Sequence, residues 1–496
     1  MKKKFTLLLL VLFISILYGC SPSEKIEFME LTILSVNDLH GYIEQDNKGY
    51  GGLSNMAFKI NEIRNENKYD DVVLIGNGDL FQGTAISNMT QGAAVMECMN
   101  AMEFDAMGIG NHEFDWGIET ILAYFDGDES NGEADFPLLN ANIYNNSDNS
   151  LLTIDNGIIY DSVIIEKEDI DVGIISYIGD VYSSISYDKV EDYYFDLRIV
   201  DSVEEIGSKL KNNGADVIIV NIHGGYSSNI EEYYYNADIS ELKDEKGGYL
   251  VDAVINGHTH SEQYGAITRN DGVDMPLIQA GANGENLGRI TLNIDLLSMD
   301  VTDYDIEMIE VSDVGKKYDP EIQSIIDNIN AELDNKGLAI AGESIASRFD
   351  FYAWIGNVMV KATGADIAFH NKGGVRGTGG IEKGKPVTIK QMYEISPFDN
   401  QIFLVELDYT KIKKLQNDDS LFNQIAPGVI LSEGNTYTVA IISYVYYKSV
   451  TENESDIDTK LYIRDILIED IKLKGLTGEK FSPISNPKAS IDLLYK

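Results

Sequence analysis

Five of the six histidines sit in four short segments that also carry Asp or Asn. They read Asn37-Asp38-Leu39-His40-Gly41, Gly110-Asn111-His112-Glu113-Phe114-Asp115, Asn221-Ile222-His223-Gly224-Gly225 and Asn256-Gly257-His258-Thr259-His260. A fifth segment, Gly76-Asn77-Gly78-Asp79, adds another carboxylate. Two divalent ions held about 3.5–4 Å apart need a shared oxygen ligand and a filled shell on each side. A carboxylate bridges best, because each of its oxygens can face one ion. Neutral imidazole and an amide oxygen complete the shells without excess charge. The inventory is Asp38, His40, Asp79, Asn111, His223, His258 and His260. Nitrogen and oxygen donors without thiolate suit Zn²⁺, Mn²⁺, Co²⁺ or Fe and disfavour Ca²⁺. Paired ions of this kind lower the pKa of water and neutralise phosphoryl charge, so phosphoester hydrolysis is the expected chemistry.

Each segment follows an apolar, β-branched run. Buried strands are expected at Leu31–Val36, Val72–Ile75, Ala106–Ile109, Pro137–Asn140, Val172–Tyr177, Val217–Asn221 and Val251–Ile255. Helical stretches such as Leu53–Asn67 and Val203–Asn212 separate several of them. Strands alternating with helices predict a layered α/β domain with helices outside. Loops beyond strand carboxyl ends converge in one crevice, which lets distant donors meet. Pro276-Leu277-Ile278, Gly281-Ala282-Asn283-Gly284 and Arg289–Ile294 read as a β-hairpin closing a sheet. Ile322, Ile325, Ile326, Ile329 and Leu333 recur at helical spacing, so Pro320–Lys336 reads as an amphipathic helix between two domains. The second domain starts near Leu338, with a helix at Trp354–Thr363 and strands near Asp366–His370, Gln401–Leu407 and Tyr437–Ser443.

Asp38-x-His40-Gly41, Gly78-Asp79, Gly110-Asn111-His112-Glu113-Phe114-Asp115 and Gly257-His258-x-His260, in this order, resemble the dinuclear metallophosphoesterase (calcineurin-like) superfamily. The domain that follows makes the chain similar to its secreted 5′-nucleotidase branch. The resemblance implies a four-layer αββα metallophosphoesterase domain over residues 28–312, a linker helix over 313–337 and a smaller C-terminal α/β substrate-binding domain over 338–496. It implies that Asp38, His40 and His260 hold one ion, that Asn111, His223 and His258 hold the other, and that Asp79 bridges. His112, oriented by Asp115, is then no ligand but stabilises the transition state or protonates the leaving oxygen. His370 lies outside the pattern and reads as a structural histidine near a strand end.

In the second domain, Asn371-Lys372-Gly373-Gly374-Val375-Arg376 places a Gly-rich turn between an amide and a guanidinium. Glycines let backbone approach a ligand, and arginine forks a phosphate or carboxylate. The segment is similar to the branch motif Asn-x-Gly-Gly-x-Arg, which assigns Asn371 to the base or ribose and Arg376 to the phosphate or ribose side. Arg348 stands where the branch carries another substrate arginine. Phe398, in Pro397-Phe398-Asp399-Asn400, stands where a ring stacks on the nucleobase. Two features depart from the branch. Phe351-Tyr352-Ala353-Trp354 replaces a Glu-x-Asn segment, and the Gly-Gly-Asp-Gly-aromatic loop that brings a second stacking ring is missing. Tyr444-Val445-Tyr446-Tyr447 offers tyrosines in its place, read as continuing a strand. The implied substrate is a nucleoside 5′-monophosphate. A 2′,3′-cyclic nucleotide, a UDP-sugar or another phosphoester is the alternative, and a non-catalytic surface binding protein is a third reading.

Met1-Lys2-Lys3-Lys4, the apolar run Phe5–Tyr18 and Gly19-Cys20 read as a secretory signal. Leu17-Tyr18-Gly19-Cys20 resembles a bacterial lipobox, which makes Cys20 the lipidated first residue of an exported, membrane-anchored protein. Only Cys20 and Cys98 are present, so no disulfide framework is expected. The remaining length suits two or three domains, and 44% hydrophobic residues with 29 tyrosines argue for packed cores. A net charge of −43 argues against nucleic-acid polymers as partners. An anionic substrate must approach through this field, so the site needs local positive charge from metals and arginines, and binding should strengthen with ionic strength.

Overall fold

The computed structural model describes residues 28–494, apart from 47–48, 50, 68–70, 129, 131, 154–156, 225–234, 334–336, 452 and 454. The expected signal and Cys20, and the expected helix end at Asn335-Lys336, lie outside the described residues. Among the described residues, no helix is long and apolar enough to cross a membrane.

The first domain is built on two sheets packed face to face. One has seven strands in the order Asp300–Glu310, Asn286–Asp295, Phe28–Val36, Val72–Asn77, Ala106–Gly108, Leu138–Leu139 and Ile159–Tyr160. The other has six, in the order Glu262–Thr268, Asp274–Ala280, Ala253–Gly257, Val217–His223, Asp171–Ile178 and Ser162–Glu166. Their central strands run parallel, which requires cover on both faces and explains the nearly continuous apolar runs. Alternation divides each strand between two cores. Leu31 and Ile33 pack between the sheets with Val172, Ile174, Val217 and Ile255. Leu34 and Val36 point the other way, into a core shared with the helix Gly52–Glu66. The helix Ile199–Asn212 covers the second sheet through Ile199, Val203 and Leu210. This is the αββα sandwich that the resemblance implies.

Two expectations fail. The segment around Gly281–Gly284 does not turn a hairpin. Asp274–Ala280 belongs to the second sheet and Asn286–Asp295 to the first, so this turn carries the chain from one sheet to the other. The real hairpins are Glu262–Thr268 with Asp274–Ala280, and Asn286–Asp295 with Asp300–Glu310.

Helix Pro320–Glu332 starts as its sequence predicts. Asp319 caps it by accepting from the Glu321 and Ile322 amides, and Pro320 occupies the first turn, where its missing N–H costs nothing. It is not a free strut. Ile322 and Ile326 are buried in the core of the first domain. The second domain has its own core around a five-stranded sheet, ordered Leu421–Ile425, Ile367–Asn371, Thr436–Ile442, Gln401–Asp408 and Ile457–Tyr462. Helices Tyr352–Thr363 and Ile463–Thr477 pack on it, with Trp354 buried and its indole N–H donating to Asp470 at 2.7 Å. Tyr444–Tyr447 do not continue a strand; they lie on the helix Ser443–Ser449.

Candidate active site

All seven predicted donors leave the carboxyl ends of strands on one side of the two sheets. Asp38 and His40 follow Phe28–Val36, Asp79 follows Val72–Asn77 and Asn111 follows Ala106–Gly108. His223 ends its own strand, and His258 and His260 follow Ala253–Gly257. Five of the seven adopt positive φ: Asp38 49°, His40 50°, Asp79 52°, His258 79° and His260 56°. A left-handed conformation is uncommon for a residue with a side chain and persists where surrounding bonds enforce it. Those bonds are present. His40 N donates to Asp79 O at 2.9 Å, Asp38 N to Gly78 O at 3.1 Å, and Asn283 N to Asp38 O at 2.7 Å. Two glycines allow the loops to touch. A Cβ on Gly78 would strike Gly110 and His223, and one on Gly110 would strike the Asp79 carboxylate.

The donors fall into two clusters that share one member. Ligand atoms of Asp38, His40, Asp79 and His260 lie within 4.8 Å of one another, as do those of Asp79, His223 and His258. His40 Nε2 faces His260 Nε2 at 2.9 Å. His223 Nε2 faces Asp79 Oδ2 at 3.2 Å and Asn111 Oδ1 at 3.3 Å, and His258 Nδ1 faces Asn111 Oδ1 at 2.7 Å. The second ring nitrogens fix the tautomers: His40 Nδ1 donates to Gln82 O at 3.1 Å and His223 Nδ1 to Asn77 O at 2.8 Å. In a neutral ring, each Nε2 therefore presents a lone pair. Those two lone pairs converge with the carboxylate oxygens of Asp38 and Asp79 and the amide oxygen of Asn111, an arrangement that a cation, whether proton or metal, relieves.

The titration behaviour follows. Burial lowers His223, but Asp79 outweighs it and raises the ring to about 9, so a proton fills the gap when no metal does. Burial would raise Asp79, yet His223 and His112 hold it well below the ordinary carboxylate range. Burial pushes Asp38 up to about 7, opposed by His223. His40 drops to about 4 through burial, and His258 to about 4 through burial and the charge of His223. Neutral His40 and His258 and an ionised Asp79 are the states that divalent ions require, and a metal would take the place of the proton on His223, so the donor set fits two of them.

His112 is not among the clustered donors. Its Nδ1 pairs with Asp115 Oδ2 at 2.8 Å, and its backbone N–H donates to Asp79 Oδ1 at 2.7 Å. Burial lowers the ring, but Asp115 and Asp79 overcome it and raise His112 to about 10. Two residues in the same segments escaped the sequence reading. Glu113, fully buried, accepts the backbone amides of Asp79 at 2.8 Å, Leu80 at 2.9 Å and Gly110 at 2.8 Å. It ties the Asp79 loop to the Asn111 loop. Asn37 donates to Asp38 Oδ2 at 2.7 Å and Gly281 O at 2.8 Å, and accepts from Ala280 N at 2.7 Å. Its position before Asp38 was legible, but its role was not.

Two hollows between the domains meet at His112. One, of about 800 Å³, reaches the donors through His40 and His260. The other, of about 330 Å³, is bounded by Asp115, Trp116, Asn371, Gly373, Phe398 and Tyr444. His112, Arg376 and Phe398 line both. The Arg376 guanidinium stands 5.1 Å from the Phe398 ring centre. Arg348 lines neither hollow; it donates to Val375 O at 3.3 Å, one step behind Arg376. Gly374 packs against Asn371 and His370. His370 is buried, donates from Nδ1 to Asn371 O at 2.7 Å and stacks on Phe422 at 5.1 Å, the structural role expected of it. Arg464 was missed. It bonds Asp399 and donates to Pro397 O at 2.9 Å, bracing the segment that carries Phe398.

Residues 31–262 match the calcineurin-like phosphoesterase family, and residues 342–425 match the 5′-nucleotidase C-terminal domain. The snake venom 5′-nucleotidase of Crotalus adamanteus is 29% identical over 343 residues, 64% of this chain and 54% of that one. The 5′-nucleotidase of Bos taurus is 27% identical over 462 residues, 84% and 76% of the two chains. The match thus spans about half of the venom protein and three quarters of the bovine one. The trifunctional nucleotide phosphoesterase protein YfkN of Bacillus subtilis is 24% identical over 437 residues, 80% of this chain and 28% of that one. The 5′-nucleotidase precursor from Thermus thermophilus shares the fold, with a TM-score of 0.62 and 19% identity over 90% of this chain and 97% of that one. The chain belongs to the calcineurin-like metallophosphoesterases, a family that hydrolyses phosphoesters with two divalent ions, and within them to the branch that carries a 5′-nucleotidase C-terminal domain.

Proposed function

We propose that this chain is a phosphohydrolase that releases phosphate from nucleoside 5′-monophosphates. The observation that carries this reading is the place of His112. It forms a wall common to the donor crevice and to the hollow bounded by Phe398, so one substrate can present its phosphate to one side and its organic part to the other. Asp38, His40, Asp79 and His260 would hold one ion, and Asp79, Asn111, His223 and His258 the other. When bound, the ions supply an acidified water and positive charge for the phosphoryl oxygens.

The protein's own groups do the rest. Arg376, on the same wall, offers a planar fork for a phosphoryl or ribose oxygen. Asp115 holds His112 through Nδ1, leaving Nε2 to carry the proton that the departing alkoxide needs. The Phe398 face receives a flat base. Glu113 keeps the Asp79 and Asn111 loops in register.

The protein is purified with Mn²⁺ or Zn²⁺, and phosphate release is measured from AMP, a 2′,3′-cyclic nucleotide, UDP-glucose and bis(4-nitrophenyl) phosphate. AMP is expected to turn over fastest. A cyclic nucleotide or UDP-glucose turning over faster would favour the wider phosphoester reading, which the helix in place of the second-ring loop supports. Metal bound with no turnover on any of the four would leave a binding protein. From the apolar run and Cys20 we also infer export and a lipid anchor; a mature protein that begins at a residue other than Cys20 after cleavage would refute the anchor alone, and one that retains Met1–Gly19 in the cytoplasm would refute both.

A further inference from the structure

Five residues border both hollows: Gln82, His112, Arg376, Pro397 and Phe398. His112, Arg376 and Phe398 have parts already, and the Pro397 carbonyl accepts from Arg464. Gln82 is the one whose side chain has no part yet. Its backbone is fixed from the metal side. The chain after Asp79 lies beside the segment that carries His40: Gly41 N donates to Leu80 O at 2.9 Å and Thr84 N to His40 O at 3.0 Å. Between those bonds the Gln82 carbonyl accepts from His40 Nδ1 at 3.1 Å. Gly83 lets the two segments touch, since a Cβ there would strike His40 O.

The side chain is idle within the protein. Gln82 is only 3% exposed. Yet among the described residues neither its Oε1 nor its Nε2 has a hydrogen-bond partner. A buried amide is normally bonded. Gln279 shows the ordinary case, its Nε2 donating to Thr259 Oγ1 at 2.6 Å and Ser261 O at 2.7 Å. Asn236 and Asn256 are other buried amides with neither atom bonded, and their atoms are sealed inside the protein. The Gln82 amide is not sealed. What remains accessible of this residue therefore includes its amide, at the border of the two hollows. None of the five bordering residues is a carboxylate, so an anionic group lying across that border meets no like charge from them. The amide adds N–H donors beside His112 and Arg376 without adding charge.

We propose that Gln82 is a catalytic residue whose amide Nε2 donates to a phosphoryl oxygen of the bound ester, beside His112 and Arg376. This rests on the phosphohydrolase reading and adds a residue to it. The two halves of Gln82 then have separate tasks. Its carbonyl orients His40 and survives any substitution, while its side chain serves the substrate from a backbone already held in place.

The test uses the full, metal-loaded protein and two variants. Gln82→Met keeps the length and removes the amide. Gln82→Glu keeps the shape and puts a carboxylate oxygen in place of the N–H group. Inorganic phosphate is titrated by calorimetry, and kcat and KM are measured on AMP and 4-nitrophenyl phosphate. A hydrogen bond to a charged oxygen is worth about tenfold or more in binding. Gln82→Met should weaken phosphate by that factor and lower kcat/KM equally on both esters, with metal content as in the parent. Gln82→Glu should bind phosphate more weakly still, because repulsion replaces the lost bond. A merely structural role would reverse that order, since glutamate is the closer fit to the space. That reversal would overturn the proposal, as would metal loss in Gln82→Met or unchanged phosphate binding. A fall on AMP alone would move the amide to the ribose and overturn it too. A parent protein that binds phosphate but releases none from either ester would sink the phosphohydrolase reading, while the phosphate titrations would still decide the role of Gln82.

Discussion

The two sides of His112 are built in opposite ways. On the metal side, Asp38, Asp79, Asn111 and His223 are nearly inaccessible, and the loops that carry the donors are cross-bonded backbone to backbone. Five donors hold left-handed conformations that no isolated loop would keep. On the organic side, Phe398, Arg376, Tyr444 and Lys189 come from four separate segments in two domains. The contrast separates precision from choice. Charge neutralisation tolerates little displacement of its groups, so its ligands are over-determined. Recognition of an organic group can be altered by changing one side chain on a loop without disturbing the chemistry.

The largest break in this contrast should come from Asp79→Ala. Both clusters include Asp79, so its loss should reduce bound metal from about two ions per chain to one or fewer and end turnover. Metal content by mass spectrometry and phosphate release check both halves; two ions retained would show that some other group bridges. His112→Ala should separate the functions on the same wall. Turnover should fall by about 10²–10⁴-fold, the usual worth of a general acid, with metal content unchanged. Metal loss equal to that in Asp79→Ala would mean that His112 is a ligand after all.

A subtler change tests whether the metal side is over-determined. Glu113→Gln keeps size but leaves one oxygen for three backbone N–H groups and aims an amide donor at them. Groups that orient ligands are typically worth about 10–100-fold in metal affinity or activity, and the variant should lose that much. Titration of the apoprotein with Zn²⁺ gives the number. An unchanged affinity would show that the Asp79 and Asn111 loops hold their shape without the carboxylate.

The same division explains what the amino-acid order revealed. The seven donors were legible because each follows an apolar run, and parallel strands buried on both faces must end where the chain turns polar. His370 was also legible, as a histidine at a strand end outside the pattern. The Gly281–Gly284 turn was misread because its length and glycines suit a hairpin, while strand pairing is decided by contacts distant in sequence: Asn286–Asp295 lies against Phe28–Val36. Tyr444–Tyr447 carry no pattern that separates a strand from one short helix. Glu113 stood in plain view within Gly110–Asp115, but a carboxylate that serves only backbone amides looks no different in sequence from one that faces water.

The smallest effect should come from Phe398→Ala, and it sharpens the contrast most. Stacking of a base on an aromatic face is worth about 1–3 kcal/mol, roughly 5- to 150-fold in affinity. That loss should appear as a higher KM for nucleotides with kcat nearly intact, because Phe398 belongs to neither donor cluster. The 4-nitrophenyl ester has a smaller ring and no ribose to carry it deep into the hollow, so its KM should rise less. Arg376 complicates the reading, since its guanidinium lies 5.1 Å from the same ring and loses a neighbour when the ring is removed. A parallel Phe398→Leu variant resolves this, because leucine fills space beside Arg376 without offering a π face. If Leu restores nucleotide binding as well as Phe, the ring acts by packing the arginine rather than by stacking on a base. In that case the organic side would be more rigidly coupled to the metal side than the separation of the two walls implies.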